Sequence, residues 1–241
     1  MVDVLESTNT TLRELAQAGE PEGTVVVAEE QRAGRGRLGR GWSSPRGGLW
    51  FSVLLRPPVP PAEAPKLPLL AGIAVVEALE RHLGIRARLK WPNDVLVQGR
   101  KLCGILSESR SDGRLEYVIL GTGINANFLV SALPEELRRT AITVREVLRA
   151  PVDRMALLRA LLNELDAGYS DFRAGRSADI AARWKGLSDT LGRTVRVETA
   201  TGVLEGVAVD VDGRGALVVR TPDGTATVSS GDCVHLSQAD G

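Results

Sequence analysis

Residues 34–42 read GRGRLGRGW, four glycines and three arginines in nine positions with Trp42 closing the run. Glycine costs backbone order and arginine costs side-chain entropy, so such a segment makes a poor helix or strand. A loop of this kind that carries Arg35, Arg37 and Arg40 has a chemical use. It can stay mobile when empty, fold down over an anion with forked N–H donors, and close the site from water. The plain alternative is a solvated surface loop. An RNA-binding tail fits less well, since such tails are long and repetitive. Gly34 to Gly39 satisfies G-x-G-x-x-G by letter, but the segment joins strand to strand with no helix after it. The dinucleotide-binding context therefore fails, and no Walker pattern occurs anywhere.

A second concentration of chemistry lies at KWPNDVLVQGRK, residues 90–101. The chain uses 26 arginines and only four lysines, Lys66, Lys90, Lys101 and Lys185, and two of the four flank this stretch. A lysine kept in so arginine-rich a chain hints that a compact ammonium is wanted rather than a planar fork. Pro92 fixes the chain between Trp91 and Asn93, and Asp94 can sit beside a cation or accept from an amide. An ordinary strand entry with Trp91 in the core is the competing account. In KLCGIL, Gly104 removes a side chain three residues after Lys101, and glycine within a strand often marks the close approach of a ligand. GTGINAN places small residues and the amides of Asn125 and Asn127 at a strand end, where they can line a pocket or simply turn the chain. His82, His235 and Cys103 have no neighbours in sequence that make a metal site or an activated nucleophile.

The elements that position these residues follow from periodicity. VDVLE reads as a short strand. STNTTLRELAQAG reads as a helix capped by Ser7 or Thr8 and ended by Gly19. GTVVVAEEQ and LWFSVLLR are strands on either side of the arginine loop, so the sheet fixes the loop's ends. LPLLAGIAVVEALERHLG is a mostly apolar helix, and DVLVQG, KLCGILSESR and YVILGTGINAN are three more strands, with QGR a tight hairpin. Residues 134–188 read as helical. Past Gly192, TVRVET, GVLEGVAVDVD, ALVVRT and GTATVSSGDCVHL read as the strands of a small β-barrel. The expected layout is an α+β domain over residues 1–190, with a mixed central sheet flanked by helices, and a small barrel over 191–241.

Composition sets the outer bounds. Formal net charge is zero, so recognition of any anion must be local rather than a property of the whole surface. Hydrophobic residues make up 43%, an ordinary globular content. Two well-separated cysteines and no secretory leader at the start of this sequence suggest a reducing cytoplasm, and no apolar run reaches the ~20 residues of a membrane span.

Taken together and in order, ESTNTTL, EEQRAGRGRLGRGW, KWPNDV, KLCGIL and GTGINAN resemble the successive motifs of biotin–protein ligases. The match is close over residues 5–128, and the helical stretch and barrel fit the family's layout. The resemblance implies a class II synthetase-like catalytic domain and an SH3-like barrel. It also implies a two-step reaction with ATP and Mg²⁺. Biotin's carboxylate attacks the α-phosphate to give biotinyl-5′-AMP, and a lysine of a biotin carboxyl carrier protein then takes the acyl group. Ser7, Thr8, Asn9 and Gln31 are implied for the ureido ring, with Arg35, Gly36, Arg37, Lys101 and Gly104 along the rest of biotin. Lys101 is the ammonium that would bridge carboxylate and α-phosphate. Arg35, Arg37, Arg40, Trp42, Asn93, Asp94, Asn125 and Asn127 are implied for the nucleotide, with Asp94 the candidate for Mg²⁺ and Trp42 an anchor at the loop's far hinge.

The motif STNT begins at Ser7, which leaves no room for the DNA-binding domain of the family's repressors. The expectation is a monofunctional ligase that binds neither DNA nor membrane, with a homodimer left open. Ala141 and Ile142 stand where some relatives carry a nearby tryptophan that packs on adenine. Two rivals remain: a lipoate–protein ligase sharing the fold and chemistry, and a protein that binds biotin or its adenylate without transferring it. A nucleic-acid-binding arginine loop would show steeply salt-dependent affinity.

Overall fold

Side chains alternate between the two faces of a strand, and that alternation separates core from site throughout this chain. The computed structural model describes residues 1–236. Its larger sheet holds β1 (Val2–Leu5), β2 (Val25–Gln31), β3 (Leu49–Leu55), β4 (Arg88–Lys90), β5 (Asp94–Val97), β6 (Arg100–Asp112) and β7 (Arg114–Ile124). The strands lie in the order β1-β2-β3-β7-β6-β5-β4. β1 and β2 run parallel and every other pair runs antiparallel, so the sheet is mixed, as expected. The hairpin read at QGR is present. Gln98 (φ 53°) and Gly99 (φ 72°) are both left-handed, as a two-residue type I′ turn requires. β4 is a strand that the sequence reading did not separate from the loop before it.

The helices are α1 (Thr8–Gln17), α2 (Lys66–Leu83), α3 (Glu135–Arg138), α4 (Val144–Leu148), α5 (Arg154–Arg173) and α6 (Ala178–Leu187). Phe51, Val53, Ile105 and Leu120 point to the face covered by α2, where they join the main core with Leu158, Leu161 and Phe172 of α5. Leu67, Leu70, Ile73 and Leu79 of α2 are at most 1% exposed. Each such burial is worth roughly 1.5–3 kcal/mol, so α2 anchors the domain. On the opposite face α1 covers only part of the sheet, packing Leu12 and Ala16 on Val26, Leu54, Tyr117 and Ile119. The uncovered part of that face holds the site. Residues 134–188 are helical in four pieces rather than continuously. α4 starts with a capping box, in which Thr143 Oγ1 accepts from Glu146 N while Glu146 Oε2 accepts from Thr143 N.

The smaller sheet holds β8 (Thr194–Thr199), β9 (Gly202–Val211), β10 (Leu217–Thr221), β11 (Gly224–Val228) and β12 (Asp232–His235), all antiparallel, in the order β11-β10-β9-β8-β12. GTATVSSGDCVHL, read as one strand, is two, divided at Ser229–Gly231. The seam between the sheets is hydrogen-bonded. Trp91 N donates to Thr190 Oγ1 (2.9 Å), Trp91 Nε1 to Gly215 O (3.0 Å) and Asp189 N to Leu89 O (2.7 Å). His235 Nε2 lies 3.0 Å from the same Thr190 hydroxyl. Burial pushes the His235 pKa down to about 4, so the ring is neutral in this seam at pH 7. No described helix is long and apolar enough to cross a membrane.

Candidate active site

The floor of the site is made of missing side chains. Gly104 on β6 and Gly123 on β7 are register partners and point to the open face. Together they leave a slot in the sheet, and the indole of Trp42 fills it. A Cβ at Gly123 would lie 2.5 Å from Trp42 Nε1, and one at Gly104 would lie 3.0 Å from the ring. The close approach expected at Gly104 is therefore made by a side chain of the chain itself. Trp42 is not at the outer hinge of the loop, as expected from sequence, but inside the cleft. Its ring meets Trp50 edge-on at 6.4 Å, and Lys101 Nζ lies 5.0 Å from the ring centroid. The Trp42 Nε1 atom is buried without a hydrogen-bond partner.

This packing makes a prediction. In Gly123→Ala the added methyl displaces the indole, an overpacking that costs about 1–3 kcal/mol. Thermal melting should show lower stability, and an unchanged melting temperature would mean that the slot has room for the methyl.

Above this floor lies a cleft of about 280 Å³. One end is polar and uncharged. Thr8 N and Oγ1 both donate to Gln31 Oε1, at 2.8 and 3.1 Å, and Gln31 Nε2 donates to Ser44 Oγ (2.8 Å). Ser52 Oγ donates to Asn9 Oδ1 (2.6 Å) and lies 2.7 Å from the hydroxyl of Thr8. Ser7 occupies the N-cap position with extended backbone, but its hydroxyl makes no capping bond and the residue lines the cleft. Ser7, Thr8, Asn9 and Gln31 are thus brought together, as expected. Ser44 and Ser52 were missed, for each is an isolated serine with no motif around it.

The other end gathers charge. Lys101 Nζ lies 2.7 Å from Asp94 Oδ1. The Lys101 backbone is held from three sides: its N–H donates to Thr140 O (2.7 Å), and its carbonyl accepts from Ile142 N (3.0 Å) and Asn125 Nδ2 (3.2 Å). Asn93 Nδ2 donates to Ile105 O (2.7 Å), which pins the turn before β5 to β6. In the loop, Arg35 pairs with Glu108 (3.1 Å) and Arg40 with Asp232 (2.9 Å). Among the described residues Arg37 has no carboxylate partner. It donates to Ser230 Oγ (3.0 Å), Gly231 O (3.2 Å) and, at 3.5 Å, Asn93 Oδ1. Burial pushes the Arg37 guanidinium below its ordinary pKa, and the charges of Asp94 and Asp232 pull it back up. A half-buried cation facing a cleft with no ion pair is suited to an anionic ligand.

Gly36 lines this cleft, as expected. So do Gly231, Asp232 and Cys233 from the C-terminal region and Leu133, Leu137, Thr140 and Ala141 from the segment after β7, and none of these seven was expected as a site residue. Asn127 stands apart. Its Nδ2 donates to Val152 O and its Oδ1 accepts from Val152 N, both at 2.8 Å, and it does not line the cleft. Its amide is spent on the backbone of Val152 and lies outside the cleft where the nucleotide was expected. Both cysteines are free. Burial pushes the Cys103 thiol far up and that of Cys233 up to about 11, so neither is a nucleophile at neutral pH.

No cluster of three or more metal-ligating side chains occurs among the described residues. Asp94 Oδ1 is buried and lacks a well-aligned hydrogen bond. One such carboxylate fits Mg²⁺ held chiefly by substrate phosphates and water.

A cleft with neutral donors and acceptors at one end and unequally neutralised cations at the other suits a ligand that is uncharged and polar at one end and anionic at the other. A family model described as the biotin/lipoate A/B protein ligase family matches residues 1–125, and one for the biotin protein ligase C-terminal domain matches residues 190–236. The chain belongs to this family, among its biotin protein ligases. It is 38% identical over 232 residues to the bifunctional ligase/repressor BirA of Bacillus subtilis, covering 95% of this chain and 71% of that protein. It is 37% identical over 245 residues to the biotin–[acetyl-CoA-carboxylase] ligase of Mycobacterium tuberculosis, covering 98% and 89%. The biotin protein ligase of Aquifex aeolicus, solved with biotin and ATP, superposes with a TM-score of 0.83 at 33% identity, covering 97% of this chain and 96% of that one.

Proposed function

We propose that this chain couples biotin to a lysine of a biotin carboxyl carrier domain, that of acetyl-CoA carboxylase or a related enzyme, through biotinyl-5′-AMP. The division at residues 190/191 and a cytoplasmic setting belong to the same reading. The observation that carries it is the placement of Lys101 and Arg37 at one end of a cleft whose other end is lined by the uncharged hydrogen-bonding groups of Thr8, Asn9 and Gln31.

In the first step a carboxylate oxygen of biotin attacks the α-phosphorus of ATP. A P–O bond forms, and the bond to the β-phosphate oxygen breaks to release pyrophosphate. Two anions must meet, so charge has to be answered locally and by preorganised groups. Lys101, with its backbone fixed by Thr140, Ile142 and Asn125, reaches toward both reacting groups, and Asp94 holds its ammonium in place. Arg37 and Arg35 close on the phosphate and the acyl linkage. Asp94 would hold a Mg²⁺ carried by ATP, and the ion would supply charge neutralisation at the phosphates. In the second step the neutral ε-amine of the carrier lysine attacks the acyl carbon. The C–O bond to the phosphate breaks, AMP leaves with the electron pair, and the proton passes to solvent. Between the steps the mixed anhydride must be kept from water, which is the use of a glycine-rich lid.

ATP–pyrophosphate exchange with Mg²⁺ tests the reading, comparing biotin, lipoate and no acid. Exchange dependent on biotin alone is expected. Exchange with lipoate alone would move the substrate, and no exchange with either acid would overturn the assignment.

A further inference from the structure

Among the groups around the cleft, one carboxylate stands out because it works against the ligand's charge. Glu108 lies on β6 on the same face as Gly104 and Leu106, at the margin of the cleft, with its side chain 23% exposed. A fixed negative charge beside a site for an acid and a polyanion raises the energy of both. Its contacts explain what it does there. Oε2 accepts from Asn9 Nδ2 at 2.8 Å, while Oε1 lies 3.1 Å from a guanidinium nitrogen of Arg35 and 3.6 Å from one of Arg13. Asn9 is 3% exposed and its Oδ1 already accepts from Ser52, so Glu108 and Ser52 together fix the orientation of that amide. Arg35 belongs to the loop. One carboxylate therefore touches the polar end of the cleft with one oxygen and the lid with the other.

We infer that Glu108 is a positioning residue that couples the polar, biotin-recognising end of the cleft to closure of the arginine loop. It acts through Asn9 and Arg35 and not on the reacting atoms. Ordering Asn9 holds Oε2, which orients Oε1 toward Arg35, and docking of Arg35 in turn steadies the carboxylate for Asn9. This inference rests on the ligase reading for the identity of the ligand, while the Asn9–Glu108–Arg35 coupling is a property of the chain alone.

Glu108→Gln separates the two arms. Glutamine keeps an oxygen that can accept from Asn9 but loses the charge that holds Arg35. The expected result is a biotin dissociation constant within about threefold of the unmodified protein, with release of enzyme-bound biotinyl-AMP about five- to tenfold faster. Amide hydrogen exchange over residues 34–42 should also speed up, even without ligand. Glu108→Ala, which removes both arms, should weaken biotin binding as well. Arg35→Gln, which also loses its own hold on the acyl phosphate, should release the adenylate at least as fast as Glu108→Gln, and the double variant should be no faster than Arg35→Gln. Equal losses of biotin affinity and adenylate retention in Glu108→Gln would overturn the coupling, as would unchanged exchange over residues 34–42. If the unmodified protein shows no biotin-dependent exchange of pyrophosphate, the ligase reading fails, and the ligand-free hydrogen exchange still decides the coupling.

Discussion

Lys101→Ala should lower the rate of biotinyl-AMP formation by about 10²–10³-fold, the usual effect of removing one preorganised donor from a developing charge. Biotin affinity should fall less than tenfold, because the proposed reading gives the ureido ring to Thr8, Asn9 and Gln31 at the other end of the cleft. The side chain contacts Asp94 and the face of Trp42 and is 34% exposed, so its loss leaves no cavity in the core. It does leave Asp94, a mostly buried carboxylate, without its cation. The double variant Lys101→Ala/Asp94→Asn removes that unpaired charge and separates the two causes. If adenylation returns in the double variant, the loss came from the stranded carboxylate. If it stays low, the ammonium itself stabilises the reaction. Single-turnover formation of biotinyl-AMP, with calorimetry for biotin, distinguishes these outcomes. Adenylation at the unmodified rate would refute the role given to Lys101. Lys101→Arg is not expected to restore activity, since a planar fork replaces a compact ammonium.

What could be read from the sequence depended on how far apart in the chain the partners lie. The strands flanking the loop, the QGR hairpin and the apolar helix α2 are local patterns, and all three are present in the structure. The uncharged end of the cleft was legible because Ser7, Thr8 and Asn9 form one run on the first turn of α1. The slot for Trp42 was not, although Gly104 and Gly123 were both noticed. Their register pairing joins two unremarkable glycines into one cavity, and it exists only once β6 and β7 are aligned. Asn125 and Asn127 show a second limit. Both follow the end of β7, where alternation no longer dictates direction, and one faces the cleft while the other clamps Val152. Ser230, Gly231 and Asp232 were invisible for a third reason. They meet Arg37 and Arg40 from more than 190 residues away, across the seam between the sheets. Glu108 had no motif of its own, and its importance is set by two partners from different elements.

Arg37→Gly should make a ligase that forms its intermediate and fails to keep it. Arg35 and Arg40 are each answered by a carboxylate, so among the described residues Arg37 carries the loop's charge that no ion pair neutralises. It also joins the loop to Ser230 and Gly231 of the smaller sheet, so its removal loosens the lid as well as weakening the hold on phosphate. A charge-assisted hydrogen bond contributes roughly 1.5–3 kcal/mol, so losing one or two should speed release of biotinyl-AMP by about 10²-fold or more. The free mixed anhydride acylates any accessible lysine, and bystander proteins such as serum albumin should become biotinylated. Arg37→Lys keeps a charge without the fork and should fall between the two. The check is the biotin content of the bystander after incubation with enzyme, biotin and ATP, alongside the dissociation rate of the adenylate. Faster release should come with bystander labelling and only a modest change in the rate of the first step. If labelling stays confined to the carrier while release is unchanged, Arg37 does not hold the lid. If instead the first step slows by the same factor as for Lys101→Ala, Arg37 belongs with the ammonium at the reacting phosphate, and closure must be assigned to Arg35 and Arg40, whose partners Glu108 and Asp232 lie on different sheets.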